Sequence, residues 1–183
     1  IWDTEALGAP RRHVSQWLLE RAAGAERIFP FVYHLPYEDA GSPWERFGRY
    51  PVNVDYTPRP DGVALRTLSD MVGDATTITN TAAGLGYGTF TASGACCAGT
   101  LVLADLNQPG VTWTGPPGVR LKIEVPKAVQ RLHVTDLMGN TTTLGVRKGR
   151  ARLRLMGVAA FVRGEPAEAL TELRVARARV RRR

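Results

Sequence analysis

The sequence predicts an α/β segment followed by an all-β antiparallel sandwich, and three observations carry that expectation. Over residues 1–74, apolar residues recur at helical spacing in two stretches, with a near-continuous apolar and aromatic run between them. From residue 76 the period shortens to strand alternation, cut by Gly, Pro and Asn turns. The chain has 183 residues, 44% of them hydrophobic, which is enough for a core and excludes disorder for the bulk.

In chain order, Ile1 to Thr4 is a short apolar strand closing on Glu5, and Gly8-Ala9-Pro10 is a turn with Pro placed where a helix begins. Val14, Trp17, Leu18, Arg21 and Ala22 then recur at spacings of three and four, and Gly24 ends that helix. Ile28 to Leu35 has the composition of a strand buried on both faces of a parallel sheet, with Pro30 near its start. Residues 36–60 are rich in Pro, Gly, Tyr, Asp and Asn, a long loop of the kind that tends to be functional. A second helix follows Pro60, with Val63, Leu65, Leu68, Met71 and Val72 on its apolar side and Gly73 at its end.

Seven strands are predicted after that: 88–92, 100–104, 119–125, 129–134, 142–146, 151–155 and 158–162. In 119–125 and 151–155 apolar and charged residues alternate strictly, as one buried and one wet face require. Glu165 to about Arg174 reads as a short helix opened by Pro166, and the arginine-rich end is expected to fray as a basic tail over the remainder of 165–183.

The formal charge is +7 and the pI about 10.0. Six of the twenty-four Lys and Arg lie in the last ten positions, leaving eighteen cations against seventeen acids over residues 1–173. The body is thus electrically ordinary, and a solvated tail is favoured over a nucleic-acid arm because no aromatics are interleaved with its arginines. No apolar run approaches a membrane span and no signal sequence is visible, so a soluble chain of open compartment is expected, without a membrane partner. The start at Ile1, resembling the inside of a strand, suggests a chain beginning within a longer protein. Cys96 and Cys97 are adjacent and are expected to be free thiols, since a bridge between neighbours is strained. The three histidines are too scattered for a metal site, the cysteines lack zinc spacing, and the Gly84-Leu85-Gly86 stretch is no phosphate cradle; no metal or cofactor is expected. Asn140-Thr141-Thr142 is a glycosylation sequon that equally suits a turn after Gly139.

Glu5 stands directly after a short buried strand, where parallel α/β barrels place catalysis, though spacing alone fits a helix-capping acid as well. The company it keeps carries a resemblance. Trp2-Asp3-Thr4-Glu5, the strand ending Phe31-Val32-Tyr33-His34-Leu35, Pro58-Arg59-Pro60 with its helix, and the turn Asp136-Leu137-Met138-Gly139-Asn140 in a sandwich together resemble the end of a retaining glycoside hydrolase of the clan A type. In that group a (β/α)8 barrel is often followed by a β-sandwich. The similarity spans residues 1–164.

The resemblance implies the last two units of an incomplete (β/α)8 barrel over residues 1–75, an accessory sandwich over 76–164, and a carbohydrate substrate. It implies Glu5 as the nucleophile, with the acid/base carboxylate outside this chain; Glu38, Asp39 and Asp55 are not promoted to that role. Trp2, Tyr33 and His34 would face the same cleft, and Tyr37 and Trp44 would offer flat faces to a sugar. Core packing for His34 and loop packing for Tyr37 and Trp44 remain equally open, Trp17 reads as structural, and Trp113 in a sandwich loop is open to either role with packing favoured. A complete barrel takes about 250 residues, so a missing N-terminal barrel segment is the expected partner and this chain alone is expected to be inactive. Two other readings stand beside it: a non-catalytic carbohydrate-binding or structural sandwich module, and a subunit completing a barrel supplied by another polypeptide.

Overall fold

The computed structural model describes residues 8–28, 60–94, 97, 100–105, 119–155 and 159–180. Within them the chain forms helices α1 (Gly8–Ala22) and α2 (Pro60–Val72) and then nine strands. These are β1 (Thr77–Gly84), β2 (Tyr87–Ser93), β3 (Thr100–Asp105), β4 (Val119–Glu124), β5 (Arg131–Asp136), β6 (Thr141–Gly145), β7 (Arg150–Leu155), β8 (Ala159–Glu165) and β9 (Arg174–Val180). Six strands form one sheet in the order β1-β2-β3-β8-β5-β6, three form a second in the order β7-β4-β9, and every pairing is antiparallel. This is the sandwich the alternation predicts. The expected barrel strands, at 1–4 and past Ile28 to Leu35, lie outside the described residues.

The six-stranded sheet is the middle of three layers. Leu101 and Leu103 of β3, Leu132 and Val134 of β5, and Ala160 and Val162 of β8 turn one way, against Leu121, Ile123, Leu153 and Leu155 of the small sheet. Their neighbours Val102, Ala104, Ala159 and Phe161, with Phe90 of β2, turn the other way and meet Val14 and Leu18 of α1 and Ala64, Leu68 and Val72 of α2. Strand periodicity sends alternate residues to opposite faces, so strands apolar at every position are those covered on both sides. Among the described residues the small sheet is covered on one side only, and β4 and β7 alternate buried and exposed along their length.

Both helices run where their spacing places them. Pro10 sits in the first turn of α1, where its missing N–H costs nothing, and Gly24 lies past the end with a φ of 99° that suits glycine. The buried stripe of α2 is Ala64, Thr67, Leu68 and Val72, whereas Leu65 and Met71 are only partly covered.

Four local expectations are corrected. Strand β1 was not among the predicted runs; only Ile78 and Ala83 of it are buried, so as an edge strand rich in Thr it carries almost no alternation. The stretch Glu165–Arg174 holds no α-helix but a three-residue 3-10 turn, Ala167–Ala169, behind a cis Glu165-Pro166 bond, and drops Leu170 and Leu173 into the sandwich core. The arginine-rich end does not fray over Arg174–Val180, which pairs with β4. Cys97 is disulfide-bonded rather than a free thiol, and Cys96 is the only other cysteine of the sequence. The glycine stretch at 84–86 is a hairpin turn joining β1 to β2, with Leu85 at φ 54° and Gly86 at φ 78°, as a tight two-residue loop requires.

Candidate functional site

The residues the sequence points to, Trp2, Glu5, Tyr33, His34, Tyr37 and Trp44, all lie outside the described residues. The structure does describe the two helices that follow these segments in the chain. Glu5 precedes the first residue of α1 by three positions, and α2 begins at Pro60 directly after the long loop.

Arg21 fixes the lower end of α1. Its guanidinium donates to the carbonyls of Ala25 (2.8 Å) and Glu26 (2.7 Å), and across the chain to Ala75 (2.7 Å), just beyond α2. The same group lies 5.8 Å from the Trp17 ring centroid, which accounts for an arginine at a position of apolar spacing. Its Nε is buried without a hydrogen-bond partner. One planar fork thus ties the end of the first helix to the entry of the sandwich.

The turn Asp136-Leu137-Met138-Gly139-Asn140 joins β5 to β6 and seats against α2. The Asp136 Oδ1 accepts from the backbone N–H groups of Met138 (2.8 Å) and Asn140 (2.9 Å), and Oδ2 accepts from Asn140 Nδ2 (3.0 Å). Gly139, at φ 84°, approaches Thr67 of α2, where an added Cβ would lie 3.5 Å from Oγ1, and Leu137 joins the core beneath the helices. The turn is therefore a carboxylate-closed loop against a helix, and its Asp is occupied structurally. The Asn140 side chain is likewise engaged with that carboxylate.

Among the described residues, no group of three or more His, Cys, Asp or Glu is placed to hold a metal ion, and no helix is long and apolar enough to cross a membrane. His133 lies on β5, with Nδ1 3.1 Å from Thr143 Oγ1 and Nε2 3.5 Å from Glu165.

One feature escapes a reading that divides the cations between separate strands and a loose tail. The outward positions of β7, β4 and β9 are nearly all basic. Arg120 pairs with Arg154 on one side and Arg179 on the other; Lys122 pairs with Arg152 and Arg177; Glu124 pairs with Arg150 and Arg174. The expectation of an electrically ordinary body with a solvated basic tail is corrected, since β9 forms one basic surface with β4 and β7. The legible signal was the charged alternation of 119–125 and 151–155; the missing piece was that β9 lies beside them.

No family model matches the sequence, and no curated protein matches it. Among solved structures, the chain is similar to a family 39 glycoside hydrolase from the gut symbiont Bacteroides cellulosilyticus WH2, with a TM-score of 0.59 and 14% sequence identity. The likeness covers 84% of this chain and 29% of that one, so the chain spans under a third of the length of the structure it matches. At this identity the likeness is one of fold.

Proposed function

We propose that this chain is the C-terminal part of a retaining glycoside hydrolase acting on O-glycosidic bonds, with residues 1–75 ending a (β/α)8 barrel and the sandwich as its accessory domain. The observation that supports the reading is the fold likeness of 84% of the chain to part of a family 39 glycoside hydrolase. The order of segments in the sequence agrees with it, with Glu5 preceding a helix and the sandwich following a second helix.

In this reading Glu5 is the nucleophile. Its carboxylate attacks the anomeric carbon as the glycosidic C–O bond breaks, and a second carboxylic acid, supplied by residues outside these 183, gives its proton to the leaving oxygen. The same group, now ionised, takes a proton from water, which displaces Glu5 and releases the sugar with its configuration retained. Trp2, Tyr33 and His34 line the cleft beside Glu5, and Tyr37 and Trp44 present ring faces to the sugar.

The test is covalent capture in the enzyme assembly that contains this chain. A 2-deoxy-2-fluoro glycoside with a good leaving group slows release of the glycosyl-enzyme, and peptide mapping should place the added sugar on Glu5. Glu5→Gln should abolish both labelling and turnover. Label on another residue, or unchanged turnover in Glu5→Gln, removes Glu5 from the mechanism.

A further inference from the structure

We propose that the outer face of the β7-β4-β9 sheet binds a linear acidic polysaccharide, its guanidinium groups gripping carboxylates along an extended sugar chain. The choice of a saccharide among polyanions rests on the glycosidase reading; the charge of the face does not.

The face is a grid. Across it run the rows Arg154-Arg120-Arg179, Arg152-Lys122-Arg177 and Arg150-Glu124-Arg174, fixed by the strand register. Neighbouring strands stand about 4.8 Å apart, and successive outward residues of one strand about 6.6 Å. Every cation in the rows is exposed. Glu124 is the one carboxylate among them, and it is 3.2 Å from Arg150 Nε.

The backbone of β9 is shaped to make this face. The strand reads Arg174-Val175-Ala176-Arg177-Ala178-Arg179, and strict alternation from Arg174 would turn Arg177 and Arg179 into the core. A register shift between Lys122 and Ile123 inserts Ala176 as an extra residue, so that Val175 pairs with Ile123 and Arg177 with Lys122. Val175 stays buried, and Arg174, Arg177 and Arg179 all emerge on the outside.

Stability does not call for such a face. Like charges directly opposite each other in a sheet are destabilising, and cations that only protect sheet edges belong on the edge strands, whereas Arg120 and Lys122 sit on the central one. All but one of the cations are arginines, the residue whose planar fork matches a carboxylate. The rows contain no aromatic ring on which a nucleic-acid base could stack and no large apolar side chain to enter a bilayer.

The experiment measures binding of the full chain to polygalacturonate at low salt, about 50 mM, beside neutral dextran, a single-stranded oligonucleotide and phosphatidylserine vesicles. The triple variant Arg120→Gln/Lys122→Gln/Arg152→Gln changes outward side chains only, and circular dichroism checks that it folds. The expected result is preference for polygalacturonate over the other three probes, an affinity lowered at least about tenfold in the variant, and a salt slope reduced by about one per cation removed. Equal retention on dextran, unchanged affinity in the folded variant, or tighter binding of the oligonucleotide or the vesicles would overturn the proposal. Glu5→Gln separates the two readings: it should lose hydrolysis in the assembly and keep polygalacturonate binding. Absence of binding with Glu5 correctly labelled removes this surface alone, and binding without any label at Glu5 removes the catalytic reading alone.

Discussion

Replacing Arg21 by Ala should loosen the join between helix and sandwich by an amount the structure lets us work out. Two of its three hydrogen bonds, to Ala75 and Ala25, are partly buried and charge-assisted, and each contributes about 1.5 kcal/mol net. The bond to Glu26 is exposed and adds little, and the contact with Trp17 adds about 0.5 kcal/mol. Against this, the buried Nε that finds no partner costs about 1 kcal/mol, a penalty the variant escapes. The net loss is about 2 to 3 kcal/mol. In urea, with a slope of about 2 to 3 kcal/mol/M for a chain of this size, the midpoint should fall by about 1 M when followed by far-ultraviolet circular dichroism. Arg21→Lys should recover less than half, because an ammonium cannot reach three carbonyls in the plane of a fork. A midpoint that moves by less than about 0.2 M in Arg21→Ala, or full recovery by Lys, would show that the clamp does not join the helix to the sandwich as argued.

Two further substitutions test the sandwich. Gly164→Ala would put a Cβ 2.6 Å from that of Leu170 and 3.1 Å from the Pro166 carbonyl, so it should destabilise by about 1 to 3 kcal/mol; an unchanged melting temperature would contradict the packing there. Asp136→Ala removes the acceptor for Met138 and Asn140 and should cost about 1 to 2 kcal/mol, with Asp136→Asn restoring part; equal stability of all three proteins would deny the turn its carboxylate closure.

The elements legible in the sequence are those whose burial is one-sided or complete. Strands β4 and β7 alternate because only one face is covered, and β3 and β8 read as unbroken apolar runs because helices cover what the small sheet does not. Strand β9 hid behind its own bulge: Ala176 breaks the period of two, so its arginines look like a tail rather than an alternating strand. Strand β1 hid for want of contrast, with two buried residues among eight. The bridge at Cys97 ran against the expectation of free thiols, which rested only on the strain of a bridge between neighbours. As for the candidate site, Glu5 and its aromatic company are legible only through a family resemblance; a lone carboxylate after a strand carries too little pattern of its own.

The apolar layer beneath α1 and α2 bears on heredity as well as on packing. Val14 and Leu18 share one hydrophobic cluster with Phe90, Val102 and Phe161, residues at least 72 positions further along the chain. Excision of the strands from residue 76 onward would strip that side of the large sheet bare and leave a greasy plane in water. Such a sandwich is poorly suited to being shuffled between unrelated proteins like a bead on a string. A breakpoint between α2 and β1 would part that layer from the helices that cover it, so helices and strands fare better when passed on together.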